Sequence, residues 1–287
     1  MRWLLLLSAI ALSTTACTGS DDDPPATDGA GAITFVSGPE AAPALHVMNE
    51  DGTADRAIPE APTPAAHPAW SPDGTQIAFA GGDDLWAIGV DGSGLRQLTE
   101  EGGRNIYPSW SPDGNHLAFA SDRSGDWNVH VLTLRGLATE QLTDAPGFDE
   151  KPAWSPDGHQ IAFSTDREGR PELWVMDADG TGERPLTSPA VVGTNPCWSP
   201  DGERVAFNDP RGSGYIIAVM NVDGSARRTI VSDVGSAERP TWSPDGRSLT
   251  FYSDVDGDWD VHTVDADGKH LRKITDNTAY DGQPAWR

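Results

Sequence analysis

Apolar residues in this chain fall in short runs separated by turn residues, and the repeats carry no ten-residue helical pattern. The runs Ile77-Ala78-Phe79, Leu117-Ala118-Phe119, Ile161-Ala162-Phe163, Val205-Ala206-Phe207 and Leu249-Thr250-Phe251 alternate large, small and large side chains. That period of two predicts a strand with one buried face. Each run follows a Trp-Ser-Pro-Asp-Gly pentapeptide, beginning at Trp70, Trp110, Trp154, Trp198 and Trp242. Proline fixes φ at the second turn position, aspartate fits the third, and glycine supplies the positive φ that closes the turn. The pentapeptide therefore predicts a hairpin joining a strand that ends at Trp to the apolar strand. A polar loop follows, such as Ser121-Asp122-Arg123-Ser124-Gly125, and then a third strand such as Leu173-Trp174-Val175-Met176. Second turns stand at Asp91-Gly92, Asp179-Gly180, Asp223-Gly224 and Asp267-Gly268. Fourth strands end at Leu98-Thr99, Leu142-Thr143, Leu186-Thr187 and Ile274-Thr275.

The pentapeptides are spaced by 40, 44, 44 and 44 residues, and a partial copy, Pro284-Ala285-Trp286, follows 44 residues later. Four short strands in a repeat of ~40–50 residues are the signature of a β-propeller blade. Ile33-Thr34-Phe35 is a second strand with no pentapeptide before it, and Pro284-Ala285-Trp286 is a first strand with nothing after it. Together they complete one blade. The chain is thus expected to be all-β, a six-bladed propeller of four-stranded antiparallel blades over residues 32–287, with its first blade closed by Pro284–Trp286. Such closure removes exposed sheet edges.

Charge narrows the partners. The formal net charge of −24 argues against nucleic-acid binding and against electrostatic adhesion to anionic membrane. The two cysteines are read as having separate roles. Cys197 occupies the position held by Ala69, Ser109, Ala153, Thr241 and Ala285 in the other repeats, so it is expected to be a small core residue and not a nucleophile. Arg2 and the apolar stretch Trp3–Leu12 form a signal peptide over residues 1–16, too short for a stable membrane span. Thr14-Thr15-Ala16-Cys17 resembles a bacterial lipoprotein processing site, which implies an acyl group on Cys17; the alternative is an ordinary secretory cleavage after Ala16. Residues 17–31, with Asp21-Asp22-Asp23-Pro24-Pro25, read as a disordered acidic tether. Thr18 after the cysteine implies, by the same resemblance, the outer membrane in a two-membrane bacterium, or otherwise the outer face of the plasma membrane.

The whole repeat (Pro-x-Trp-Ser-Pro-Asp-Gly, an Ile-Ala-Phe-like strand, Ser-Asp-Arg-x-Gly, Asp-Gly, Leu-Thr) resembles the TolB-type propeller repeat. The loop element is clearest at Ser121–Gly125 and at Thr165-Asp166-Arg167-Glu168-Gly169. The resemblance covers the chain after the tether and implies a ring that binds proteins. TolB itself carries an N-terminal α/β domain, for which there is no room before Ala32.

The first strand of a blade lines the axis, and the segments entering it vary while the turns stay constant. The expected binding face comprises His67, Arg104, Asn105, Tyr107, Asp149, Glu150, Lys151, Asn195, Glu238, Arg239, Tyr280, Asp281 and Gln283. Variable loops on a rigid scaffold are where sites usually lie. The repeat tryptophans Trp70, Trp110, Trp154, Trp198, Trp242 and Trp286 are read as wedges between blades. Trp127 and Trp259, less regular, are the aromatic contact candidates. Asp254, Asp256, Asp258 and Asp260 form a weak calcium candidate, but Trp259 stands where an EF-hand loop needs glycine. His46, His130 and His262 share a repeat position in blades that do not all adjoin, which disfavours a shared metal centre. His-Glu-x-x-His and Gly-x-Ser-x-Gly are absent from the sequence.

The reading favoured here is a monomeric, membrane-anchored envelope lipoprotein. Its axial mouth binds a protein or peptide without catalysis and without a cofactor. The alternative is a polysaccharide lyase or hydrolase, or a glycan- or small-ligand-binding propeller, for which Asp149, Glu150, Glu238 and Asp281 supply the carboxylates. A peptidase of the dipeptidyl peptidase kind requires a following α/β-hydrolase domain, and the sequence stops at Arg287.

Overall fold

The computed structural model describes residues 31–100, 102–187, 191–232 and 235–287. The expected signal peptide, Cys17 and the expected tether up to residue 30 lie outside these residues. Twenty-four strands form six four-stranded antiparallel sheets, and no helix occurs among the described residues. Blade 1 contains β1 (Ala32–Gly38), β2 (Ala44–Asn49) and β3 (Arg56–Ala57). Blade 2 is β4 (Ala65–Trp70), β5 (Gln76–Gly81), β6 (Asp84–Gly89) and β7 (Arg96–Gln97). Blade 3 is β8 (Asn105–Trp110), β9 (His116–Ser121), β10 (Asn128–Thr133) and β11 (Ala138–Gln141). Blade 4 is β12 (Asp149–Trp154), β13 (Gln160–Thr165), β14 (Glu172–Asp177) and β15 (Arg184–Pro185). Blade 5 is β16 (Thr194–Trp198), β17 (Arg204–Arg211), β18 (Gly214–Asn221) and β19 (Arg228–Val231). Blade 6 is β20 (Ala237–Trp242), β21 (Ser248–Ser253), β22 (Asp260–Asp265) and β23 (Arg272–Lys273). The last strand, β24 (Tyr280–Trp286), pairs with β1 and completes blade 1, so the ring closes as the partial repeat predicts.

The second strands differ from expectation in one respect. Their alternation of large and small residues does not separate a buried face from a wet one: Ile77, Ala78 and Phe79 are all fully buried, as are their equivalents in the other blades. Each blade is sandwiched between two neighbours, so both faces of its second strand meet protein. The large residue fills one inter-blade gap and the small residue lets the other close. The six phenylalanines Phe35, Phe79, Phe119, Phe163, Phe207 and Phe251 are among the largest fully buried side chains. Opposite three of them stand His46, His130 and His262, with ring centroids 5.4, 5.6 and 5.5 Å away. Those histidines therefore act as aromatic partners of the blade core. Burial first, then the charge of Arg123, lowers His130 to about 4.

The repeat tryptophans do wedge between blades. Trp70 Nε1 donates to Ala285 O at 3.1 Å, Trp110 Nε1 to Ala69 O at 3.2 Å, Trp198 Nε1 to Ala153 O at 3.1 Å and Trp242 Nε1 to Cys197 O at 3.2 Å. Each bond ties an inner strand to that of the preceding blade.

Candidate binding channel on the ring axis

The innermost strands are β24, β4, β8, β12, β16 and β20, and all six carry the same defect. In blade 2, Ala66 pairs with Ala80 and Ala69 with Ala78, so the inner strand holds one extra residue. The register slips at the same place in the other five. Such a β-bulge re-aims a side chain without breaking the sheet. Here the re-aimed residues are His67, Tyr107, Lys151, Asn195, Arg239 and Gln283, with φ of 57°, 57°, 56°, 55°, 53° and 57°. None is glycine, and left-handed backbone costs a non-glycine residue on the order of 1 kcal/mol. The residue after each is proline: Pro68, Pro108, Pro152, Pro196, Pro240 or Pro284. Proline has no N–H to lose at the gap in the ladder, and its ring disfavours right-handed helical backbone in the residue before it. Three of the bulged N–H groups find side-chain acceptors: His67 N donates to Gln283 Oε1 (2.7 Å), Asn195 N to Ser164 Oγ (3.0 Å) and Arg239 N to Asn208 Oδ1 (2.9 Å).

These six half-buried side chains border an axial cavity of about 630 Å³. From the bulges its lining continues through the prolines and tryptophans to the pentapeptide turns, at Ser71, Pro72, Pro112, Pro156, Pro200 and Pro244. The cavity thus lies on the turn side of the ring. The loops that enter the inner strands, where the sequence places the mouth, do not line it. The left-handed bulge residue is the first of each inner strand to border the cavity, and the residues before it do not.

Tyr107 is the hub of the ring. The Arg239 guanidinium carbon lies 4.8 Å from its ring centroid and Lys151 Nζ 5.6 Å. His67 meets it edge-on at 4.1 Å. Burial pushes the Lys151 ammonium below the usual lysine range, against the opposing charge of Glu150. Burial, followed by the charges of Arg239 and Lys151, holds His67 well below its ordinary value, so the ring is neutral at neutral pH. Burial raises the Tyr107 phenol.

The other expected face residues go elsewhere. Asn105, Asp149 and Asp281 are each 0% exposed. Arg167 Nη2 donates to Asp149 Oδ2 (2.8 Å), Arg123 Nη2 to Asn105 Oδ1 (2.8 Å) and Asn277 Nδ2 to Asp281 Oδ2 (2.6 Å), so these groups bind loops to inner strands inside their own blades. Arg104 is exposed, with Nε 3.0 Å from Asp122 Oδ2. Glu150, Glu238 and Tyr280 are half-buried and do not line the cavity. Glu238 accepts the Tyr252 hydroxyl at 3.0 Å. Trp127, one of the aromatic contact candidates, is 8% accessible and is covered by Arg104, whose guanidinium carbon is 4.9 Å from its ring. Trp259 is half-buried against Tyr252 at 4.8 Å.

Of the calcium candidates, Asp256, Asp258 and Asp260 do converge, with oxygens within 4.8 Å of one another. A lysine already supplies their cation: Lys273 Nζ lies 2.6 Å from Asp256 Oδ2 and 2.7 Å from Asp260 Oδ2. Asp254 Oδ1 instead accepts Ser236 N at 2.8 Å. Cys197 packs against the blade 6 core, as expected, but also borders the channel, and burial pushes its thiol up to about 11. Arg287 was not foreseen. It stands one residue after the last Trp, where the other repeats have serine, and its Nη2 donates to Asp73 O at 2.6 Å. It pins the chain end to the neighbouring turn and joins the channel lining.

The model of the TolB beta propeller domain family matches residues 30–287. No curated protein matches. Among solved structures, TolB from Acinetobacter baumannii is 22% identical with a TM-score of 0.81, covering 89% of this chain and 66% of that one. A putative TolB from Agrobacterium tumefaciens is 23% identical with a TM-score of 0.72, covering 88% and 91%. A hydrazine synthase from Kuenenia stuttgartiensis is 16% identical with a TM-score of 0.74, covering 90% and 46%. At these identities the likeness carries the fold alone. The family match over residues 30–287 establishes more: this chain belongs to the TolB β-propeller domain family.

Proposed function

We propose that the chain is an exported cell-envelope lipoprotein, acylated on Cys17, whose propeller is a non-catalytic binding ring that holds a segment of a partner protein in its axial channel. One observation carries the binding reading. Six equivalent positions that face one cavity hold six different side chains, while the proline after each is invariant across the repeats. A repeat scaffold concerned only with closing its axis has no need for that variety, and strained backbone gathers at functional positions. Against the lyase or hydrolase reading, Asp149, Glu150, Glu238 and Asp281 do not share the cavity, so they offer no pair of carboxylates to a substrate held there.

The test is cross-linking of the full-length protein in its native envelope, followed by purification and identification of what accompanies it. Asn195→Trp is the plugging variant, since Tyr107 shows that the bulge accepts a large aromatic side chain. We expect it to lose the partner; undiminished capture would move the site to the loop face around Arg104. Mass spectrometry of the same preparation reads the mature N-terminus, and an unmodified Cys17 ends the lipoprotein reading.

A further inference from the structure

We propose that the channel selects a carboxylate carried by the segment it holds; this rests on the channel being the binding site. The sequence has 44 acidic residues against 20 Lys and Arg, so charges drawn at random from it would be mostly negative. The channel reverses that bias. Among the described residues that line it there is no Asp or Glu, whereas Lys151, Arg239 and Arg287 all border it, together with His67. This is the local arrangement that favours an anion, set in a molecule whose overall field repels one.

Neither ring cation holds a carboxylate at contact distance. Two other partly buried cations take carboxylates directly: Arg167 takes Asp149, and Lys273 takes Asp256 and Asp260. Among the described residues no carboxylate oxygen lies within ion-pair distance of Lys151 or Arg239, and their close contacts are with the Tyr107 ring. The charges of Glu150 and Glu238 reach these cations without direct contact, and a carboxylate placed between Lys151 and Arg239 would gain charge-assisted hydrogen bonds from both. His67 Nδ1 is buried at the same ring without a hydrogen-bond partner. The Asn195 and Gln283 amides border the same space.

The test is calorimetric titration of the full-length protein with hexaglutamate, citrate and inorganic phosphate. Hexaglutamate suits the purpose because the acidic exterior gives it no non-specific foothold. The variants are Lys151→Met, Arg239→Gln and their double, with the exposed Arg104→Glu as a control and Lys151→Arg as the charge-preserving one. We expect carboxylate binding that weakens at least tenfold in each single neutral variant, vanishes in the double, and survives in Lys151→Arg and Arg104→Glu. Binding of hexaglutamate alone assigns a peptide carboxylate, and binding of citrate as well assigns a free one; both support the proposal. No binding of either carboxylate, binding untouched by the double variant, or preference for phosphate overturns it. If Asn195→Trp loses the envelope partner while the double variant keeps it, the channel reading stands and carboxylate selection falls.

Discussion

A serine and an aspartate set the geometry of every pentapeptide turn. In blade 3, Ser111 Oγ donates to Asp113 Oδ1 at 2.6 Å, and the same oxygen accepts Asn115 N at 3.0 Å. His116 N returns to Ser111 Oγ at 2.9 Å. The Ser111 hydroxyl foremost, then the Asn115 N–H, hold the Asp113 carboxyl down to about 2. Asp73, Asp157, Asp201 and Asp245 shift in the same direction for the same reason. A carboxyl whose folded pKa lies below its unfolded value of about 3.9 stabilises the fold above that value, and the contribution is lost as pH falls toward about 2. The prediction is that Asp113→Asn costs about 1 kcal/mol or less at neutral pH and loses less stability than wild type between about pH 5 and pH 2. Parallel pH-melting curves for the two proteins would refute it. The turn residues are readable from sequence because their chemistry is local. The bulge residues are not, because a residue before proline is expected to be extended. His67, Tyr107 and Lys151 carry no glycine-like mark of left-handed backbone, and only the invariant proline after them hints at the gap.

At the scale of elements, the tryptophans distinguish two kinds of blade junction. Trp110 Nε1 bonds Ala69 O in the preceding blade, whereas Trp154 Nε1 is buried with no partner. Phenylalanine in either place loses similar ring area, but only at Trp110 does it also leave a carbonyl without its donor. Trp110→Phe is therefore expected to cost about 0.5–1.5 kcal/mol more than Trp154→Phe in denaturant unfolding, the net worth of one hydrogen bond. Equal losses would mean that the ring alone holds the junction. Strand order and blade count were legible because the pentapeptide repeats with nearly constant spacing. The two-sided burial of the second strands was not, because alternation in size looks like alternation in exposure until the neighbouring blades are in place. The burial of Asn105, Asp149 and Asp281 was hidden for a related reason. Arg123 and Arg167, the partners of Asn105 and Asp149, lie 18 residues on in another loop, and Asn277 meets Asp281 across a turn that no repeat pattern announces.

For the whole molecule, the decisive quantity is charge. Ring closure by β24 leaves no blade short of a strand, and the six hydrophobic clusters sit between or within blades around the ring. Folding therefore gathers most of the sequence's net charge of −24 around an apolar interior. Some of the acids are answered by surface pairs such as Arg104–Asp122 and Lys269–Asp267, but exposed pairs of that kind contribute little. Repulsion among the remaining carboxylates opposes the compact state, and salt screens it over a distance of about 10 Å at 0.1 M. The two effects have opposite signs, so salt decides between them. If repulsion dominates, Tm rises between about 0.01 and 0.5 M sodium chloride, by roughly 2–4 °C for each kcal/mol relieved in a domain of this size. If the surface pairs dominate, Tm falls. We expect the rise, and expect most of it below about 0.2 M, where the screening length contracts to the spacing of neighbouring surface charges. A flat or falling profile would show that the acidic exterior is balanced by its ion pairs. In that case the absence of carboxylates from the channel would contrast with a neutralised surface rather than with a repelling one.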